Sequence, residues 1–254
     1  MGFLRQYGFW LLLFLLLTTR IGARAADTAR TRLADGFDQP VGKPDAEGYY
    51  TARGFRPRYH MGEDWNGLEG GNKDLGKPVY ATANGYVVMA RDMRSSWGNL
   101  VIIRHAYLED NQVRVVDSVY AHMDKILIKE DQQVLRGQQV GTIGTAHGLY
   151  PAHLHFEIRK NLNIGFNQRG FPRDYTAYYS PGAFIAAHRK LSGSGRSVLV
   201  PIHTFTMNGK GEVAPIEAPP SRGGLKWQES AAPNPTATPR KPSPFKVNRF
   251  DDLL

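Results

Sequence analysis

Three histidine-containing segments carry the residue types that could bind a metal or move protons. The first, YHMGEDW, places His60 four residues before Asp64, so an imidazole and a carboxylate lie close along the chain. Gly62 between them favours a turn leading into a strand, and such a turn can still bring both side chains together. On its own this spacing is common, and two solvated surface groups are the more ordinary interpretation.

The second segment, PAHLHFEI, places His153 and His155 two residues apart in a predicted strand. Side chains with this spacing point to one face, so the imidazoles lie side by side while Leu154 and Phe156 face a core. Two adjacent imidazoles repel each other when both are protonated. The pair therefore suits a metal site or an acid and a base, with two exposed strand histidines as the alternative.

The third segment, VYAHMD, ends a strand at His122, which alone would be read as a solvated or satisfied side chain. Together the segments supply His60, Asp64 and His155 as nitrogen and oxygen donors, with His122 and His153 nearby. Three protein ligands and a water are the composition of a catalytic zinc site, whereas a structural site closes its fourth position with protein. Imidazole and carboxylate suit zinc without thiolate.

Short strands must position these residues. From Tyr49 to about Lys160, runs rich in Val, Ile, Tyr and Thr alternate with Gly and Asn turn signals, and no long helix intervenes. This pattern predicts an antiparallel sheet. The predicted strands are Val79–Ala83, Gly85–Arg91, Asn99–His105, Val113–His122, Gln139–Ile143 and Leu154–Arg159. Ser180 and Pro181 predict the start of a short amphipathic helix, and Ser197–Thr206 predicts a further strand.

The 254 residues are expected to divide into four segments. The apolar run Phe9–Leu17 behind Arg5, followed by Ala23-Arg24-Ala25, predicts a secretory signal peptide over residues 1–25, with an uncleaved signal anchor as the alternative. Residues 26–48 are predicted to be an extended lead-in and residues 49–213 the folded domain, with its core motifs in 60–160. Residues 214–254 hold half of the chain's 16 prolines and are predicted to be a disordered tail.

Composition excludes several classes of protein. The absence of cysteine rules out disulfide scaffolds, Cys-ligated zinc and thiol catalysis. The formal charge of +9 falls to +6 without the signal segment, which holds three arginines and no acid. The basic residues follow no nucleic-acid motif, so no nucleic-acid partner is expected. Anionic cell-wall polymers or membrane surfaces fit this charge, and a charge that only keeps the chain soluble fits it equally.

The ordered motifs YHMGED, VYAHMD, GQQVGTIG and AHLHFEIR, over roughly residues 49–165, resemble the lysostaphin/LytM-type zinc metallopeptidases of the bacterial cell wall. The resemblance implies a mainly β fold, with a compact antiparallel sheet or β-roll, a loop-built groove and a short C-terminal helix. It implies a Zn²⁺ cofactor bound by His60, Asp64 and His155. It also implies that His122 and His153 are catalytic histidines that do not bind the metal.

The resemblance further implies a zinc-dependent endopeptidase that hydrolyses the peptide cross-links of peptidoglycan. Its partners would be peptidoglycan stem peptides, in the periplasm or cell envelope, with a membrane involved only if the signal segment stays uncleaved; no oligomeric state is indicated. One alternative is a non-catalytic, wall-binding activator of other hydrolases, a role of relatives that lack metal ligands, whereas here every ligand position is filled. Another is a secreted protease that acts on proteins.

Two details concern the neighbourhood of these motifs. His147 and Tyr150 stand where the family pattern is rich in Ser, Thr and Gly, so they are expected to reshape one wall of the groove. Glu157 shares a strand face with His155 and is placed to hydrogen-bond this ligand.

Overall fold

The computed structural model describes residues 27–192 and 195–205; the predicted signal peptide (1–25) and tail (214–254) lie outside the described residues. The regular elements include α1 (Pro181–Ala187), a 3-10 turn at Gln168–Gly170 and an irregular π-type turn at Gly42–Ala46. The strands are β1 (Thr28–Arg32), β2 (Tyr49–Arg53), β3 (Glu63–Gly67), β4 (Pro78–Tyr80), β5 (Gly85–Asp92), β6 (Asn99–Glu109), β7 (Gln112–Met123), β8 (Lys125–Ile126), β9 (Gln133–Val134), β10 (Gln139–Thr142), β11 (Leu154–Arg159), β12 (Tyr178–Tyr179) and β13 (Ser197–Pro201).

These strands form three sheets, and every pairing between them is antiparallel. The largest sheet has the order β2-β3-β11-β7-β6-β5-β9, with β12 paired to β11. The second has the order β4-β10-β8, and β1 pairs with β13 as a separate ribbon. The predicted mainly β fold, with antiparallel sheets and one short helix, is confirmed.

The central strands β6 and β7 are buried on both faces. In β6, Val101 and Ile103 point into the main core, while Leu100 and Ile102 point to the opposite face and pack in a cluster that includes Trp97. Since alternate residues of a strand face opposite sides, a strand covered on both sides is apolar at almost every position. The run NLVIIRH reflects this double burial.

Two predicted strands end earlier than expected. The strand predicted at Val79–Ala83 is β4, which ends at Tyr80; beyond it the backbone amide of Ala81 bonds to the carbonyl of Gln138. The strand predicted at Ser197–Thr206 is β13, which ends at Pro201. Regular strand pairing ends at Tyr80 and Pro201, although local composition still favours a strand beyond them; Thr206 lies outside the described residues.

Residues 27–48, predicted as an extended lead-in, contribute to the main core. Phe37 and Val41 are fully buried, and the Phe37 ring packs edge-on against Phe184 at a centroid distance of 5.0 Å. The segment also contains β1, which pairs with β13. The folded unit therefore includes residues that precede β2.

Helix α1 follows Ser180 with Pro181 at its first position, as predicted, and its Phe184 and Ile185 side chains are buried. The Ser180 side chain makes no capping hydrogen bond. Within the part of the chain that the structure describes, no helix is long and apolar enough to span a bilayer.

Candidate metal centre

Three neighbouring strands of the large sheet bring the predicted site residues together. Asp64 on β3 is the antiparallel partner of His155 on β11, and His155 is in turn the partner of Ala121 on β7, directly before His122. Directly opposed residues on paired strands project from the same face, so Asp64 and His155 share one face. His60 reaches the same point from the turn before β3, which an Arg56–His60 bridge closes.

Three atoms of these side chains meet at one point. Asp64 Oδ1 lies 2.8 Å from His155 Nδ1 and 3.0 Å from His60 Nε2, and the two nitrogens are 3.1 Å apart. All three residues are largely buried. Among the described residues this trio is the group of His and Asp or Glu side chains whose geometry could hold a metal ion.

The outer contacts of both imidazoles decide which atoms face inward. His60 Nδ1 lies 3.0 Å from the carbonyl oxygen of Gly54, which only accepts, so this nitrogen donates its proton outward. His155 Nε2 donates to Glu157 Oε1 at 2.9 Å in the same way. In the neutral imidazoles the inward nitrogens then carry lone pairs, beside a carboxylate oxygen. Three mutually close acceptors need a cation or a proton between them.

The spacing of these acceptors suits a metal ion. Zinc–nitrogen and zinc–oxygen bonds of about 2.0–2.2 Å in a tetrahedral site place ligand atoms roughly 3.3 Å apart. The observed separations of 2.8–3.1 Å are close to this value. The donor set of two imidazoles and one carboxylate fits zinc, and further contacts hold both imidazoles in the required tautomer.

Without a metal, a proton occupies this position. Burial disfavours a charged His155, but hydrogen bonds from it to Asp64 and Glu157 outweigh burial and raise its pKa to about 9. Burial would likewise raise the pKa of Asp64, yet the hydrogen bonds with His155 and His60 hold it well below its usual range. The trio therefore attracts a positive charge, which either a proton or a metal ion can supply.

His122 and His153 lie beside the trio. The ring centroid of His122 is 4.9 Å from that of His153 and 5.4 Å from that of His155. His122 has a backbone φ of 63°, which is uncommon for a residue with a side chain and occurs often at functional positions. Burial, with His155 and His153 close by, lowers the pKa of His122 to about 3, so its ring is neutral near pH 7.

The contacts of His153 fix its tautomer as well. Its Nδ1 lies 2.8 Å from the carbonyl oxygen of Pro151, so this nitrogen donates a proton to it. Its Nε2, which then carries the lone pair, lies 3.8 Å from Asp64 Oδ1. The predicted strand face is only partly formed, because β11 begins at Leu154 and His153 enters through an isolated bridge to Gly144.

A buried ion pair supports His155 from behind. Glu157 is fully buried; its Oε2 accepts from Arg159 Nε at 2.6 Å and its Oε1 accepts from Gln168 Nε2 at 2.8 Å. The predicted contact of Glu157 with His155 is thus confirmed, and Arg159 and Gln168 extend it. Glu157 keeps its charge because the nearby Arg159 and His155 hold its pKa at about 2, despite burial.

Gly62 allows His60 and Asp64 to approach β11. A Cβ atom at this position would lie 2.4 Å from the carbonyl oxygen of Phe156 and 3.0 Å from Cε1 of His155. No side chain fits there without separating the turn from β11. The glycine in the first motif is thus a packing requirement of the site as well as a turn signal.

The trio lies in an open cleft whose lining also includes Trp97, Tyr150, Arg53 and Arg173. Tyr150 forms part of the wall, as predicted, with its ring 4.8 Å from that of His122. His147 does not line the cleft and bonds instead to Asp92 at 2.9 Å.

The other histidines of the described residues lie elsewhere. His105 is fully buried between the Asn84 carbonyl and Ser118, consistent with a structural role. His188 follows the end of α1 and is buried, with its Nδ1 2.7 Å from the carbonyl oxygen of Phe184.

Residues 58–165 match the family described as Peptidase family M23. Murein hydrolase activator NlpD of Escherichia coli (strain K12) is 40% identical over 103 residues, which cover 38% of this chain and 25% of that protein. Lipoprotein NlpD of Yersinia enterocolitica is 42% identical over 84 residues, covering 33% of this chain and 78% of that sequence. A zinc-containing peptidase from Vibrio cholerae is 30% identical, with 49% of this chain and 37% of that chain covered and a TM-score of 0.38.

These matches define a class of protein, the M23 peptidase fold with a His-Asp-His cluster. The chain belongs to Peptidase family M23. The match spans about a quarter of the length of the Escherichia coli relative.

Proposed function

We propose that this chain is a zinc-dependent endopeptidase that hydrolyses peptide cross-links of peptidoglycan. The observation that supports this most directly is the meeting of three acceptor atoms, from His60, Asp64 and His155, in an open cleft. Both imidazoles turn their proton-bearing nitrogens away from the meeting point. Such an arrangement is expected of metal ligands and has no evident use in a surface that only binds a partner.

The proposed ligands of zinc are His60 Nε2, Asp64 Oδ1 and His155 Nδ1. The chemistry that zinc supplies when bound in such a site is polarisation of a carbonyl and acidification of water. Glu157 keeps His155 in the ligating tautomer, and the carbonyl of Gly54 does the same for His60. The protein's own part is therefore to hold these acceptors in place before any ion arrives.

His153 and His122 are proposed to handle the proton and the developing negative charge. His153 is fixed with its lone pair at Nε2, on the side of Asp64, and this position suits acceptance of a proton from water. His122 is neutral and lies against His153, where its ring can donate to an oxygen that becomes negative during peptide-bond attack. Neither residue is needed as a metal ligand in this arrangement.

Peptidoglycan and the cell envelope are proposed as the substrate and the place of action. The similar proteins carry the names murein hydrolase activator and lipoprotein, and the signal-like first 25 residues agree with export. We also propose that the peptidase domain spans residues 49–213. Residues 27–48 belong to the same folded unit, because they pack into its core.

A second candidate function is activation of another murein hydrolase without catalysis. It is favoured by one observation, the 40% identity with a protein named murein hydrolase activator. This candidate needs the fold and a binding surface, but it does not need three converging acceptors.

The first experiment measures metal and hydrolysis together. We expect one zinc per purified chain and release of peptide fragments from sacculi, detected by mass spectrometry. Asp64→Ala or His155→Ala should lose both, whereas His122→Ala should keep the metal and lose most turnover. His203→Ala is a matched control, since His203 is exposed and bonds to Asp27 far from the cleft along the sequence. Hydrolysis by metal-free His155→Ala would disprove the ligand assignment.

The second experiment separates the two candidates. In one arm, the metal-free Asp64→Ala protein is added to a purified murein hydrolase that acts on sacculi. In the other arm, zinc-loaded wild type is incubated with sacculi without another hydrolase. If the chain is a peptidase, wild type should cleave sacculi without another hydrolase, and the variant should not stimulate the added hydrolase. Stimulation by the variant, with no cleavage by zinc-loaded wild type, would establish the activator and refute the peptidase. An unstructured protein digested beside sacculi tests for general protease activity.

A further inference from the structure

Two exposed arginines at one edge of the cleft have no acidic partner among the residues that the structure describes. Arg53 and Arg173 line the same cleft as the trio, and neither forms an ion pair within the described residues. Seven of the 13 other described arginines form ion pairs, for example Arg91 with Glu130 and Arg136 with Asp38. An unpaired guanidinium in a substrate cleft is available to bind an anion.

Strand register locates Arg53 relative to the trio. Arg53 on β2 is the cross-strand partner of Asp64 on β3, which is itself the partner of His155 on β11. With strands about 4.8 Å apart, the Arg53 backbone is roughly 10 Å from that of His155. It lies on the opposite side of His155 from β7 and His122, according to the strand order β2-β3-β11-β7.

Arg173 comes to the same edge from a separate loop. Its guanidinium donates to the carbonyl oxygen of Tyr59 at 3.4 Å, and its own carbonyl accepts from the amide of Arg58. The exposed Tyr59 ring also carries the guanidinium of Arg56 at 4.7 Å from its centroid. This edge is therefore positively charged, while His122, His153 and Tyr150 lie together on the side of β7.

We propose that Arg53 and Arg173 bind a free carboxylate of the substrate peptide and so select acidic, unamidated cross-links. This proposal rests on the proposed peptidase function and adds a specificity site to it. At about 3.3 Å per extended residue, a backbone separation of roughly 10 Å corresponds to about three residues, so the carboxylate is expected within about that length of the bond held at the trio. Guanidinium groups bind carboxylates through paired hydrogen bonds.

The test compares two soluble cross-linked muropeptides, one with free carboxylates and one with the same carboxylates amidated. For wild type we expect a higher kcat/KM on the free acid. In Arg53→Gln and in Arg173→Gln the ratio between the two substrates should fall about tenfold, or about 1.4 kcal/mol, because each variant loses a hydrogen bond between charged groups. Raising the salt concentration should reduce the ratio in wild type and leave little effect in the double variant.

Arg30→Gln is the matched control, because Arg30 is an exposed arginine on β1 that does not line the cleft and forms no ion pair with another described residue. It should leave the ratio at its wild-type value. A wild-type ratio near one, or a ratio that the double variant does not change, would overturn the carboxylate site while cleavage itself still supports the peptidase. If zinc-loaded wild type cleaves neither muropeptide, the peptidase proposal fails. Calorimetric binding of the same two muropeptides then tests the arginines independently. Tighter binding of the acid by wild type, lost in the double variant, would support the carboxylate site. Equal binding of the two muropeptides by wild type would overturn it.

Discussion

Replacement of Glu157 by Gln tests whether the support behind His155 contributes to metal affinity. Glu157 accepts hydrogen bonds from His155, Arg159 and Gln168 and is fully buried. Glutamine keeps the shape but has one acceptor oxygen, so its NH2 group must face either Arg159 or the two donors His155 and Gln168, and the negative charge behind His155 is lost. Substitution of a residue that hydrogen-bonds a metal ligand typically lowers metal affinity about 10- to 100-fold, or about 1.4–2.7 kcal/mol.

The pH of the assay matters because Glu157 has two opposing effects. It orients His155 and strengthens it as a ligand, but with Asp64 it also raises the pKa of His155 to about 9, so that a proton competes with zinc below this pH. Replacing Glu157 weakens His155 as a ligand, but it also reduces the competition between the proton and zinc. We therefore expect the variant to bind zinc about 10- to 100-fold more weakly than wild type at pH 9, and the difference between the two proteins to be smaller at pH 7. Both affinities are measured by competition with a chromophoric chelator.

Glu130→Gln is a matched control because it makes the same atomic change in an exposed pair with Arg91. It should leave zinc affinity unchanged and alter the free energy of unfolding by less than about 1 kcal/mol. Since breaking the buried pair of Glu157 and Arg159 costs about 3–5 kcal/mol, thermal unfolding must first show that the variant is folded. A folded Glu157→Gln protein with wild-type zinc affinity at pH 9 would refute this role of Glu157.

Two further predictions concern stability. Phe37→Ala should lower the free energy of unfolding by about 3–5 kcal/mol, because it empties a fully buried position; a loss below about 1 kcal/mol in denaturant unfolding would show that residues before β2 are not part of the folded unit. Burial lowers the pKa of His105 to about 4, below the unfolded value of about 6.5. Above pH 6.5 this pKa difference does not change the free energy of unfolding. As the pH falls from 6.5 towards 4, it lowers the free energy of unfolding by at most about 3 kcal/mol. His105→Gln should make denaturant-measured stability fall less steeply over this range, whereas the exposed His203→Gln should not.

Local sequence pattern was sufficient for the parts of the site that depend on local geometry. Alternation along β11 places His155 and Glu157 on one face, and their hydrogen bond confirms it. Gly62 marks the turn that separates His60 from Asp64. The pairing of Asp64 with His155, 91 residues apart, depends on the register of β3 against β11. Such register follows from packing of the whole sheet and cannot be derived from either segment alone.

The contribution of the lead-in segment was hidden for a related reason. Leu33, Phe37 and Val41 are four residues apart within a polar stretch containing glycine and proline, which matches neither the alternation of a strand nor a complete helical stripe. Their burial comes from contacts with distant elements such as α1. Arg53 was missed because a single arginine in YYTAR carries no signal, and only the strand order brings it beside Asp64.

The choice between peptidase and activator depends on the cost of maintaining the trio. A fold shared by both kinds of protein does not decide function. The three acceptors lie within 3.1 Å of one another and repel each other unless a positive charge lies between them. Outward hydrogen bonds hold two of them in place, and a buried ion pair supports one of these two. A protein that needed only this surface would be more stable with apolar or hydrogen-bonded residues at these positions. The arrangement therefore supports the proposed metal ion, whose binding free energy would compensate for that repulsion, and zinc should accordingly raise the unfolding temperature of wild type but not that of Asp64→Ala.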